Sequence, residues 1–149
     1  MQHYMTDGVT EIATSSLAVS PNQYGIIDFS NNKFSYCTKA VDVSAWAERN
    51  SMVDSDLLDF SAYSEDFFKN KTRVSETLQK INLKDEEKKL MAEALADINA
   101  NYFAGVPTDK EKYAKGIELW KKQEGDFSFN YINSMLEDSD TDYCSITVK

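Results

Sequence analysis

Tyr24-Gly25-Ile26-Ile27-Asp28-Phe29-Ser30-Asn31-Asn32-Lys33-Phe34-Ser35-Tyr36-Cys37-Thr38 is the stretch that decides the fold. Two runs rich in aromatic and β-branched residues flank Asn31-Asn32, and asparagine tolerates the positive φ that a tight hairpin turn requires. With those two residues as the loop, Phe29 faces Phe34 and Ile27 faces Tyr36. Four large side chains then gather on one face of the ribbon, and Ile26 shares the other with Cys37. A slip of one residue would scatter the cluster, so the pattern carries its own register.

Outward from the hairpin, the two flanks differ. Residues 1–23 are rich in Ser, Thr and Gln, with Ile12, Leu17 and Val19 only loosely spaced, and read as a weak strand or an irregular arm. From Val41 to Phe103 the apolar period changes from two to about 3.6. Val43, Trp46, Ala47 and Asn50 mark a short helix, residues 55–69 a second, and Val74, Leu78 and Ile81 a third. Leu90, Met91, Ala94, Leu95, Ile98, Tyr102 and Phe103 define the longest helix, which starts near Lys84 and stops at Gly105 with Pro107 beyond.

Thr108-Asp109-Lys110-Glu111 has the form of a capping box, with Thr108 as N-cap of a helix carrying Tyr113, Ile117 and Trp120 and ending by Gly125. Asp126 is placed to cap a last helix with Phe127, Tyr131, Ile132, Met135 and Leu136. Cys144-Ser145-Ile146-Thr147-Val148 alternates as a strand that can return to the hairpin. The expectation is a single α+β domain over 1–149, with a small antiparallel sheet packed against about five helices. Loops of two to six residues leave no obvious place for a boundary.

The net charge of −9 weighs against nucleic acid or an anionic membrane as a ligand, because both are bound through clustered Lys and Arg. The excess is uneven: residues 41–70 carry −5 and residues 126–149 carry −4, while 1–40 and 71–125 carry −1 and +1. In the first segment, Asp54 and Asp56 fall at a helix N-terminus, where an acid stabilises by about 0.3–1 kcal/mol. Asp59, Glu65 and Asp66 fall in the body and last turn of the same predicted helix, on an arc that also holds Leu58 and Ala62. The second segment adds Asp138, Asp140 and Asp142 beyond a helix C-terminus, where the dipole gives them no benefit.

Acids around an apolar anchor suit a basic protein partner. On this ground Asp59, Leu58, Ala62, Glu65, Asp66, Asp138, Asp140 and Asp142 are the candidate partner-binding residues. The expected function is that of a non-enzymatic inhibitor of the immunity-protein or anti-defence type, a nucleic-acid mimic covering the basic surface of a toxin or nucleic-acid-handling enzyme. The alternatives are a small structural or regulatory subunit of a larger assembly and an enzyme that uses carboxylates.

Other chemistries find little support. An EF-hand loop begun at Asp54 has Leu58 at its fifth position and Asp59 where glycine is required, and one begun at Asp138 has Tyr143 at the glycine and Lys149 at the twelfth position. No metal and no cofactor is therefore expected. The single histidine, His3, makes a nucleophile-and-base arrangement improbable, and no glycine-rich phosphate loop is present. Cys37 and Cys144 belong to no ligand pattern and are expected to be reduced. The first residues lack the features of a signal peptide and no apolar run approaches a membrane span, so a cytoplasmic location is expected.

Overall fold

The structure, a computed structural model, describes residues 2–6, 9–14, 16–138 and 145–148. The expected α+β class is what it contains. Five strands, β1 (Gln2–Thr6), β2 (Val9–Ala13), β3 (Gln23–Ser30), β4 (Lys33–Ala40) and β5 (Ser145–Val148), frame a run of helices. These are α1 (Val43–Arg49), α2 (Ser55–Leu58), α3 (Phe60–Asn70), α4 (Arg73–Lys80), α5 (Asp85–Ala104), α6 (Ala114–Lys121) and α7 (Phe127–Asp138). The described residues thus hold seven helices where about five were expected.

The hairpin has its predicted register. Asn31 and Asn32 adopt φ of 53° and 59°, Phe29 pairs with Phe34, Ile27 with Tyr36 and Ile26 with Cys37. β5 pairs antiparallel with β4, giving a three-stranded sheet in the order β3-β4-β5. The first residues form more than an arm: β1 and β2 pair antiparallel as a separate two-stranded sheet. On the shared face of the hairpin, Tyr36 is buried while Ile27 and Phe29 are 64% and 72% exposed. Gly25 makes room for the tyrosine, because a Cβ there would lie 2.5 Å from the Tyr36 hydroxyl oxygen.

α5 is the axis of the helical part. Asp85, Glu86 and Glu87 favour its positive end, the Glu87 carboxylate accepts from the Lys84 amide, and Gly105 ends it at φ 69°. It packs against α3, α4, α6 and α7, and Met91, Ala94, Leu95 and Ile98 are essentially unexposed. Trp120 of α6 lies against it and donates from Nε1 to the Met91 carbonyl at 2.9 Å, which satisfies the only polar atom of a buried indole. Ile132, Met135 and Leu136 of α7 complete this core. The α5–α6 approach is close because of Gly116, where a Cβ would stand 2.5 Å from the Leu90 carbonyl oxygen and 2.8 Å from the Ala94 Cβ.

One buried polar link ties α5 to α7. Asn99 is unexposed, donates from Nδ2 to the Leu95 carbonyl at 2.8 Å, and accepts from the Tyr131 hydroxyl. Burial, and then the neighbouring Tyr102, raises the Tyr131 pKa above the ordinary tyrosine value.

Two helix boundaries differ from expectation. The predicted helix over 55–69 divides at Asp59, which closes α2 and opens α3 with its side chain accepting from the Ala62 amide. Ser44 Oγ of α1 accepts the Phe60 amide, so a tertiary contact satisfies a group that a continuous helix would have used. The helix expected from Thr108 begins only at Ala114. Asp109, rather than Thr108, takes the free amides of Glu111 and Lys112, which holds residues 110–113 in a turn.

Candidate functional site

Among the predicted partner-binding residues, the break in the helix changes the argument for Asp59, which is a cap and not part of a helix body. Glu65 is ion-paired with Lys69, and Asp66 lies 3.2 Å from the Lys71 ammonium and accepts from Asn70. The Asn70 amide first, and then Lys71, lowers the Asp66 pKa. Lys71 also sits over the Tyr63 ring. Leu58 and Ala62 are exposed. Asp138 is the last residue of α7, while Asp140 and Asp142 lie outside the described residues, as does Cys144. Local structure therefore uses the acids of α2 and α3.

A cleft of about 450 Å³ opens beside them, between α3 and α5. Its origin is the size of the side chains at that seam. Ser61 and Ser64 on α3 and Ala96 and Ala100 on α5 line it with side chains too small to fill the gap. Phe68 closes the floor and stacks on Phe103. Charged residues stand on both walls, Glu65 and Lys69 on one and Glu93 and Asp97 on the other. Lys112 and Tyr113 close one end, and the Ser20 amide reaches in to Ser64 Oγ at 3.4 Å.

The charges of this cleft are only partly matched. Asp97 accepts from the Asn101 amide at 2.8 Å, and among the described residues no lysine or arginine lies within ion-pair distance of it. Lys112 stands over the Tyr113 ring, 4.7 Å from its centre. Its pKa is raised first by the Tyr113 side chain and then, more weakly, by the charges of Asp97 and Asp109. Sequence reading missed this cleft. Its one signal was the pair of small residues at helical spacing on each of two stretches far apart in the chain.

The other feature is apolar. Ile27 and Phe29 on β3, Trp46 on α1 and Val53 in the following loop are exposed, Val53 by 95%. Ile26 and Phe34 are only half-buried. β3 is one of the two outer strands of its sheet and contains no lysine or proline, the residues that commonly protect such an edge. Among the described residues, no group of three or more His, Cys, Asp and Glu side chains is arranged to hold a metal ion, and no helix is long and apolar enough to cross a membrane.

Comparison with curated proteins finds no match. A family model does match, over residues 42–142, and its description is the C-terminal domain of cyclic nucleotide phosphodiesterase. The matched span takes in all seven helices and none of the five strands. It overturns the expectation of an immunity-type or anti-defence inhibitor acting as a nucleic-acid mimic, since the family is a domain of an enzyme. The physical source of that error is the acidic run at 54–66, whose members serve as caps and ion-pair partners of their own helices. By the match over most of its length, this chain belongs to the family of the C-terminal domain of cyclic nucleotide phosphodiesterase.

Proposed function

We propose that this chain acts as an accessory, non-catalytic domain of a cyclic nucleotide phosphodiesterase, and that its open sheet face meets the catalytic part of that enzyme. The observation that carries this reading is the exposure of Ile27 and Phe29 on the face shared with Tyr36. The core around α5 needs no such cover, because Met91, Leu95, Ile98, Trp120 and Ile132 already close on one another. Covering one isoleucine or phenylalanine is worth about 1.5–3 kcal/mol, so two on one face are a sizeable reason to associate. The family description supplies the kind of partner: a unit carried by the same enzyme.

The test is an assay of cyclic AMP hydrolysis by the purified chain, alone and mixed with a phosphodiesterase catalytic domain. The chain alone is expected to release no nucleoside monophosphate, and the mixture to elute as one complex with altered turnover. Steady hydrolysis by the chain alone, retained through purification, would end the accessory reading.

A further inference from the structure

We propose that the cleft between α3 and α5 is a regulatory site for a nucleoside monophosphate, the product class of cyclic nucleotide hydrolysis. The identity of the ligand rests on the phosphodiesterase reading; the demand for a ligand with both hydrogen-bond donors and an anionic group comes from the cleft itself.

The lining excludes simpler ligands one at a time. Glu65 is engaged by Lys69 and Glu93 lies 4.0 Å from Lys89, which leaves Asp97 and Lys112 as the charges open to a ligand. A polyamine would find Asp97 but be repelled by Lys112. A bare inorganic anion would suit Lys112 and leave Asp97 unmatched. An amino acid satisfies both signs but leaves most of about 450 Å³ unfilled, a volume within the range of about 300–1,000 Å³ typical of larger ligands. What remains is a molecule with neutral donors in its body and an anion at one end.

A nucleoside monophosphate has that distribution. Its ribose cis-diol supplies two O–H donors for carboxylates, the role an acidic residue takes toward ribose in dinucleotide sites. Asp97 lines the α5 side of the cleft without an ion-pair partner among the described residues and can accept them, with Glu93, shared with Lys89, one helical turn before it. The phosphate then falls toward Lys112, which no carboxylate within 4 Å neutralises among the described residues. Ser61 and Ser64 also line the cleft, the Ser64 hydroxyl already accepting from the Ser20 amide.

The same chemistry separates product from substrate. Hydrolysis adds water across one P–O ester bond of the ring, which frees one ribose hydroxyl and gives the phosphate its second ionisable oxygen. The cyclic nucleotide thus lacks one donor for the α5 carboxylates and one charge for the lysine.

Isothermal titration of the intact chain with adenosine monophosphate, cyclic AMP, adenosine and inorganic phosphate tests the proposal. Adenosine monophosphate is expected to bind saturably and at least about tenfold more tightly than each of the other three. Asp97→Asn and Lys112→Gln should each weaken it by about tenfold or more, with unchanged melting temperatures. Ala100→Leu, which enlarges an exposed side chain lining the cleft, should weaken it as well.

Equal affinity for inorganic phosphate, wild-type affinity in both charge variants, or no saturable binding of the monophosphate would overturn the site. These failures are distinct from failure of the accessory reading, because complex formation with the catalytic domain uses the sheet face and should be indifferent to Asp97→Asn.

Discussion

The helices and the β3–β4 ribbon use similar side chains to opposite effect. On α5 and α6, Leu95, Ile98 and Trp120 are withdrawn from solvent, and even the polar Asn99 buried among them has its partners. On β3, Ile27 and Phe29 are as apolar and remain in water. The family match takes in the helices and stops short of the strands on both sides, and within it Trp46, Val53 and Phe127 are exposed as well. The core around α5 is closed on itself, whereas the outer end of the hairpin leaves two large apolar side chains in water. Hydrogen bonds hold the two regions together, from Gln23 to the Ala104 carbonyl and from Ser20 to Ser64.

Substitutions that damage the closed side of this comparison should have the largest effects. Trp120→Ala removes the largest core side chain and its bond to Met91, and we expect a loss of about 3–5 kcal/mol in denaturant unfolding. A loss below about 1 kcal/mol would show that the α5–α6 seam is not the core. Gly116→Ala should cost about 1–3 kcal/mol, because its methyl group meets the rigid Leu90 carbonyl. Thermal melts should then place it between Trp120→Ala and the wild type.

Tyr131→Phe sharpens the account of the polar link. It leaves the Asn99 carbonyl oxygen without its hydroxyl donor, and a cost of about 1–3 kcal/mol near neutral pH is expected. Burial raises the Tyr131 pKa in the folded state, so its stabilisation is intact below the unfolded value of about 10 and disappears as pH rises through the folded value. The variant should therefore lose less stability than the wild type on going to alkaline pH. Parallel pH curves for the two proteins would contradict that assignment.

The smallest effect is expected at Asp66, on the exposed side of α3. Its pKa is lowered, so its contribution is present above the ordinary aspartate value of about 4 and is lost as pH falls below it. Asp66→Asn should change stability little, by an amount that salt diminishes further, since both it and Lys71 are exposed. A large, salt-independent effect would mean that the acidic run does more than support its own helices.

Much of this architecture was legible in the sequence, for reasons that differ by element. The hairpin register, α5 with its Gly105 stop, the Asp126 cap of α7 and the return of β5 all follow from local signals that no distant contact contradicts. The break at Asp59 was hidden because apolar spacing runs straight through it, and what divides the helix is a serine hydroxyl from α1. At Thr108 two capping signals overlapped, and the Asx turn of Asp109 prevailed. The cleft was illegible because its floor is defined by what is small on two helices about thirty residues apart. The acidic run was over-read for the opposite reason, since charge is conspicuous in a sequence while its ion-pair partners are not.

The exposed sheet face is where association can be tested most directly. Size-exclusion chromatography with light scattering, run on the chain mixed with a cyclic nucleotide phosphodiesterase catalytic domain, compares the wild type with the double variant Ile27→Ser, Phe29→Ser. Both side chains are exposed, so the variant should unfold within about 0.5 kcal/mol of the wild type. The wild type should form a complex and the variant should lose it at unchanged stability. A complex that survives both serines, or a variant that unfolds as readily as Trp120→Ala, would contradict the proposed association.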